Sequence, residues 1–111
     1  MEISYLDVRT KEFLTNPSKV QRKYGSNVRK ALAQRLDWIE DAHNQDNLIR
    51  DYPGKCKELT GRLKGHFSMR LDEKWRLIFI PNYESPPRKP DGGLDLQKIE
   101  KVKILEIDDY H

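Results

Sequence analysis

The sequence predicts an α+β fold: a small curved, mainly antiparallel sheet with two helices packed on one face. Three stretches predict it. From Gly65 to Ile80 (GHFSMRLDEKWRLIFI), apolar residues alternate on either side of Asp72-Glu73-Lys74, the pattern of a hairpin whose successive side chains point to opposite faces. Further back, Val28, Leu32, Leu36 and Ile39 recur at helical spacing, with Ala31, Trp38 and Ala42 beside them. Near the end, Lys101 to Asp108 (KVKILEID) is mostly apolar on both faces, which places the last strand inside the sheet.

Taken in order, Ile3 to Val8 is a short strand, and Thr10 caps a brief helical turn through Phe13 and Leu14. Asn16-Pro17 followed by Gly25 marks a helix start and stop, with Asn as N-cap, Pro at the first position and Gly just past the end. Ser26 or Asn27 opens the main helix, which runs to about His43. Asn44 to Tyr52 is a polar connection with one turn at Asp46–Ile49, and Pro53-Gly54 is a turn. Lys55 to Leu59 is a strand ending at Gly61, and Arg62 to Gly65 turns into the hairpin. Residues 82–97 contain Pro86, Pro87, Pro90 and Gly92-Gly93; they read as a flexible insertion with no core to bury, inside a single domain spanning 1–111.

A three-residue connection in the hairpin pairs Leu71 with Trp75, Met69 with Leu77 and Phe67 with Phe79, giving one apolar face to meet the helix stripe. The other face carries His66, Ser68, Arg70, Arg76 and Ile78 and is expected to be open to solvent, with Arg70 opposite Arg76. Like charges in a cross-strand pair are unfavourable. The two guanidiniums therefore splay into water, pair with Asp72, Glu73 or the acidic C-terminal stretch, or wait for an anion.

Charge is unevenly spread. Residues 9–35 hold eight Lys/Arg against the single acid Glu12, whereas residues 91–111 hold six acids against three lysines. A basic front half suits a polyanion or an acidic partner; a solvated helix surface gives the same pattern. Residues 55–76 add seven bases against three acids, and among them Lys57, Arg62, Lys64, Arg70 and Arg76 make a phosphate-binding footprint. Arginine grips phosphate through two parallel hydrogen bonds. The lone Cys56 excludes an internal disulfide and suits a reducing compartment, and the chain shows no zinc-ligand spacing. No stretch resembles a signal peptide or reaches transmembrane length, so a soluble cytoplasmic protein that uses no membrane is expected.

The chain closes on Asp109-Tyr110-His111. Histidine titrates near neutrality, with an ordinary pKa of about 6.5, so His111 can take or give a proton. Tyr110 can hydrogen-bond or stack on a base. A proton carrier beside paired guanidiniums has the parts for RNA cleavage by its own 2′-hydroxyl, with no cofactor. A frayed chain end, or the start of a truncated tag, is the competing reading of His111. His66 and His43 read as structural, and Trp38 and Trp75 as core or rim packing.

The run Pro53-Gly54, Lys57-Glu58-Leu59-Thr60-Gly61, GHFSMRLDEKWRLIF and the closing DDYH resembles the HigB branch of the RelE/ParE toxin superfamily, over most of the chain except the 82–97 insertion. The resemblance implies a RelE-like microbial ribonuclease fold and a type II toxin that cuts mRNA on the translating ribosome. It also implies inhibition by a cognate helix-turn-helix antitoxin. Carried onto this sequence, Arg76 matches the arginine that contacts the scissile phosphate, and His111 matches the terminal proton carrier, with Tyr110 and Asp109 beside it. Positions 57 and 60, a histidine and a lysine in some relatives, are Lys57 and Thr60; Lys57 keeps a cation there and Thr60 does not. Arg70, Arg62 and Lys64 are the cations available to compensate. Two other functions fit the same resemblance: a ParE-like, non-enzymatic inhibitor of a protein such as DNA gyrase, and an antitoxin-bound module without activity.

Overall fold

The computed structural model describes residues 1–109. Among them, a five-stranded sheet runs in the order β1 (Glu2–Tyr5), β5 (Lys101–Asp108), β4 (Arg76–Pro81), β3 (Phe67–Arg70), β2 (Lys57–Glu58). Only β1 and β5 pair in parallel; the other neighbours are antiparallel. The helices are α1 (Val8–Leu14), α2 (Pro17–Tyr24), α3 (Ser26–Asp41) and α4 (Gln45–Asp51). The α+β architecture and the interior place of the last strand, between β1 and β4, are as the sequence predicts. The described residues hold four helices: the two expected, and two more where the sequence predicts only single helical turns.

The two added helices are short and held by caps. Asp7 accepts from the Thr10 amide at 2.7 Å, so Asp7, not Thr10, opens α1. The first strand consequently stops at Tyr5 instead of reaching Val8, and Leu6 and Val8 remain exposed. Asn44 caps α4 through the Asn47 amide at 2.7 Å, where a polar connection is expected. That helix buries Leu48 and Gln45 completely. The expected ends of α2 are present: Asn16 caps it, Pro17 is its first residue, and Gly25 closes it at φ +95°. The α3 helix ends at Asp41, where the Met1 ammonium donates to the carbonyls of Ile39, Glu40 and Ala42 at 2.9, 2.8 and 2.6 Å. A cation at the negative end of the helix dipole ties the first strand to the main helix.

One apolar cluster joins the layers. Val28, Leu32 and Ile39 of α3, Val20 of α2 and Leu48 of α4 meet Phe67, Met69, Leu77, Phe79, Val102 and Ile104 of the sheet. The hairpin register is the predicted one, with Phe67 opposite Phe79, Met69 opposite Leu77 and Arg70 opposite Arg76. Leu71 completes it by donating its amide to the Trp75 carbonyl at 2.9 Å.

Three further expectations fail. The second sheet face is not open along its length: Ser68 and Ile78 are 1% and 3% exposed, and Leu59 beside them is 2% exposed. Solvent reaches this face at the strand edges, where Lys57 and Glu106 are exposed, and at its far end, where Arg70 and Arg76 are half-buried. The 82–97 segment does have something to bury. Leu94 belongs to the core, Tyr83 and Leu96 pack against it, and Arg88 bridges to Leu94. Main-chain bonds from Lys89 to Gly93 and from Asp95 to Pro87 close the loop on itself. The strand expected over Lys55–Leu59 shortens to two residues, because Gly54 (φ +104°) and Lys55 (φ +53°) carry the chain through a turn.

Candidate functional site: an arginine pair at the end of the sheet

Register fixes which side chains share a face. Lys57, Ser68, Ile78 and Glu106 form one row across β2, β3, β4 and β5, and Arg70, Arg76 and Asp108 form the next. Arg70 and Arg76 are a close pair. The Arg70 amide and carbonyl bond away from β4, to Gly54 and Arg35, so the two arginines face each other without exchanging hydrogen bonds. Such pairs bring Cα atoms to about 4.5 Å.

The chain resolves the like-charge contact with a backbone atom. Arg70 Nε donates to the carbonyl of Asp72 at 3.2 Å, and Arg76 Nη1 donates to the same carbonyl at 2.9 Å. Arg76 Nη1 also reaches the Trp75 carbonyl at 3.2 Å. The Asp72 carboxylate is occupied elsewhere, accepting the Lys74 and Trp75 amides at 2.8 and 2.7 Å, which shapes the three-residue turn. Asp108, the cross-strand neighbour of Arg76, accepts from the Asp109 amide at 2.9 Å. Among the described residues neither arginine makes a salt bridge. Pairing with Asp72, Glu73 or the described part of the acidic tail is thus not how they are held. A dipole partly offsets their repulsion and leaves both formal charges in place, and the remaining N–H groups can receive an anion.

The other predicted residues are spread along the sheet. Lys57 is exposed on the edge strand, opposite Ser68 and one row from Arg70. Asp109 is exposed immediately beyond the end of β5. Arg62 and Lys64 lie in the turn before β3 (a single 3₁₀ turn, Gly61–Leu63), six to eight residues from Arg70, so they belong to the opposite end of the strand. Lys64 there lines a groove of about 390 Å³ with Glu58, Arg88 and the Gly92-Gly93 backbone. Tyr110 and His111 lie outside the described residues.

The histidines and tryptophans inside the described region have structural surroundings. His66 Nδ1 is buried with no hydrogen-bond partner among the described residues, so no neighbour orients it for proton transfer. Trp75 meets the edge of Tyr24 at 4.8 Å and carries Lys74 Nζ 4.8 Å from its ring centroid, which leaves it a packing residue. Two contributions to the site escape the sequence reading: the Asp72 carbonyl, a backbone atom with no residue signature, and Arg35, which the sequence presents only as one of a run of bases. Burial holds the Arg35 guanidinium below the usual arginine range.

The sequence model of the family described as "RelE-like toxin of type II toxin-antitoxin system HigB" matches residues 4–85. No curated protein sequence matches the chain. Among solved structures, the YoeB/ParE toxin from Agrobacterium tumefaciens superposes with a TM-score of 0.58 at 9% identity, covering 100% of both chains. The YoeB–YefM complex from Staphylococcus aureus gives 0.56 at 19% identity, covering 100% of this chain and 97% of the other. The YoeB dimer from the same organism gives 0.54 at 18% identity with the same coverage. At those identities the structures speak for the fold, and the family match speaks for the lineage. It takes in the helices, the hairpin and both arginines of the pair: the chain belongs to the HigB-like toxins, the RelE-like toxins of type II toxin–antitoxin systems.

Proposed function

We propose that this toxin is a metal-independent, ribosome-dependent endoribonuclease of the cytoplasm that cleaves mRNA by attack of a 2′-hydroxyl on the neighbouring phosphate. The observation that supports it most is the pair of guanidiniums tethered to the Asp72 carbonyl with no salt bridge to a carboxylate among the described residues. Two positive charges are concentrated at one spot, and no described residue neutralises them.

In this reading Arg76, assisted by Arg70, binds the scissile phosphate and stabilises the extra charge that develops on its oxygens as the 2′-oxygen attacks. Fixed cations supply that stabilisation, so the step needs no metal. His111 follows Asp108 by three residues, a chain span of at most about 10 Å, so its imidazole has the reach to serve the same phosphate. It carries the proton from the 2′-hydroxyl or to the departing 5′-oxygen, while Tyr110 stacks on a neighbouring base and Asp109 borders the nucleotide. Lys57, one row away, and Arg62 and Lys64, farther along, contact flanking phosphates. The partner that silences the toxin is a cognate helix-turn-helix antitoxin; the YoeB structure from Staphylococcus aureus is itself a complex with YefM. The whole chain acts as one domain.

Induced expression of wild type, Arg76→Ala and His111→Ala, with mapping of cleaved message, tests this directly. Wild type should arrest growth and cut message, and each variant should lose roughly 10²–10³ in cleavage rate, the scale for removing one charge-stabilising group. Growth arrest with intact message and accumulating DNA damage would replace this reading with a ParE-like protein target.

A further inference from the structure

We infer that Arg35 is the positioning residue of the arginine pair, its Nε–H holding the Arg70 carbonyl so that the end of β3 keeps Arg70 level with Arg76. The effect on cleavage rests on the ribonuclease reading; the clamp itself does not.

The sheet leaves a place unfilled beside the end of β3. The N–H and C=O of Arg70 point away from β4, towards where a continuing β2 would lie. Yet β2 spans only Lys57–Glu58 and pairs no farther than Ser68. Two groups from outside the ladder take its place. The Gly54 carbonyl accepts the Arg70 amide at 2.9 Å, and Arg35 Nε donates to the Arg70 carbonyl at 2.9 Å. Arg35 reaches across from α3, thirty-five positions earlier in the chain, so it pins the tip of the sheet to the helical layer.

Its surroundings suit that task and no other evident one. The guanidinium lies 4.9 Å from the Trp38 ring centroid and bonds Gln34, and it has no carboxylate partner among the described residues. Burying a cation without a counter-charge costs solvation. The turn is fitted around it: a side chain at Gly54 would place its Cβ 3.1 Å from Arg35 Nε and 3.1 Å from Met69 Cε. Arg70 then donates to the Asp72 carbonyl shared with Arg76, so a swing of Arg70 disturbs both guanidiniums.

The test compares Arg35→Met, which keeps the stem and removes the donor, with Arg35→Lys, Arg70→Met and the double variant Arg35→Met/Arg70→Met. In single-turnover cleavage of ribosome-bound message, R35M should lose about 10- to 100-fold in rate, as positioning partners do, with RNA binding kept within about twofold. R35K should recover little, because an ammonium cannot copy the planar Nε donor. In the R70M background, R35M should cost nothing more, since its whole effect runs through Arg70. Hydrogen exchange at the Arg70 amide should quicken in R35M by tenfold or more relative to Met69. Equal Arg70 protection in wild type and R35M overturns the inference, and so does a full additive loss in the double variant. A wild type that cuts no message sinks the ribonuclease reading instead, and the exchange measurement still decides the clamp.

Discussion

Replacing Asp72 by alanine and by asparagine separates two accounts of how the arginines are held. If the carboxylate were their counter-ion, removing its charge would be the damaging step, and both variants would suffer. In the structure the carboxylate instead accepts the Lys74 and Trp75 amides, while the main-chain carbonyl takes both guanidiniums. Asparagine keeps a side-chain acceptor for those amides; alanine does not. Each bond is worth roughly 0.5–1.5 kcal/mol net, and the turn is partly exposed, so Asp72→Ala should cost about 1–2 kcal/mol. For a chain of this size that is a fall in Tm of roughly 4–8 °C. Asp72→Asn should stay within about 0.5 kcal/mol. Because the carbonyl belongs to the same turn, Asp72→Ala should also slow message cleavage, whereas Asp72→Asn should leave it close to wild type. Thermal melts followed by circular dichroism and a single-turnover assay suffice. If asparagine proved as harmful as alanine in both measurements, the backbone-tether account would be wrong and an ion pair would have to be restored.

Three further outcomes follow from the packing. Leu94→Ala should cost about 2–3 kcal/mol in denaturant melts, near the lower end for a buried leucine because Leu94 is 8% exposed at the core's rim; a change under about 0.5 kcal/mol would mean the 82–97 segment is not anchored there. Gly54→Ala should destabilise the fold by about 1–3 kcal/mol, since its φ of +104° disfavours a side chain and a Cβ would press on Arg35; an unchanged melt would contradict that turn geometry. Cys56 is buried beside Gln45, and burial pushes its thiol from 9.0 up to about 12. Native protein at pH 8 should therefore resist alkylation until it unfolds. Above pH 9 the unfolded thiol ionises while the folded one stays protonated, so stability should decline from about pH 9 towards pH 12, more steeply than in Cys56→Ala. Rapid labelling at pH 8, or equal slopes in the two proteins, would show that the thiol is not sequestered.

What could be read from the chain beforehand follows from the length and period of each signal. The hairpin register was legible because strand side chains alternate with a period of two, and a one-residue slip would turn Phe67, Met69, Leu77 and Phe79 out of the core. Helix α2 announced itself through Asn16, Pro17 and Gly25, and α3 through a stripe running over four turns. Helices α1 and α4 have seven residues each and one buried aliphatic apiece, Leu14 and Leu48, too few to establish a period. Their caps, Asp7 and Asn44, were the available signal. The 82–97 segment was misjudged because its prolines and glycines outweighed Leu94 and Leu96, whose anchoring depends on where the chain returns. The register also gave the arginine pair, but composition could not tell which oxygen holds it, since every residue offers a backbone carbonyl.

The partial burial of the second sheet face bears on how the proposed site would tell one anion from another. Had that face been open throughout, Lys57, Arg70 and Arg76 would form one diffuse basic surface, adequate for loose polyanion binding. Burial of Leu59, Ser68 and Ile78 instead closes the middle of the face, so that its cations divide between Lys57 on the edge strand and the arginine row at the end of β3 and β4. A bulge between Ile78 and Phe79 shifts the register against β5, and below it Arg76 still meets Asp108, the last residue of that strand. The last strand thus ends beside a pair of guanidiniums that has no salt bridge among the described residues. A polyanion sliding over the basic helices meets many solvated cations, whose attraction salt screens. At the sheet's end it meets a rigid pair tied to a carbonyl, with little side-chain entropy left to lose. The difference should be visible in salt titrations: raising salt should weaken RNA binding by the wild type and by Arg70→Met with different slopes. Parallel lines would mean that Arg70 takes no phosphate and serves only to hold Arg76 in place.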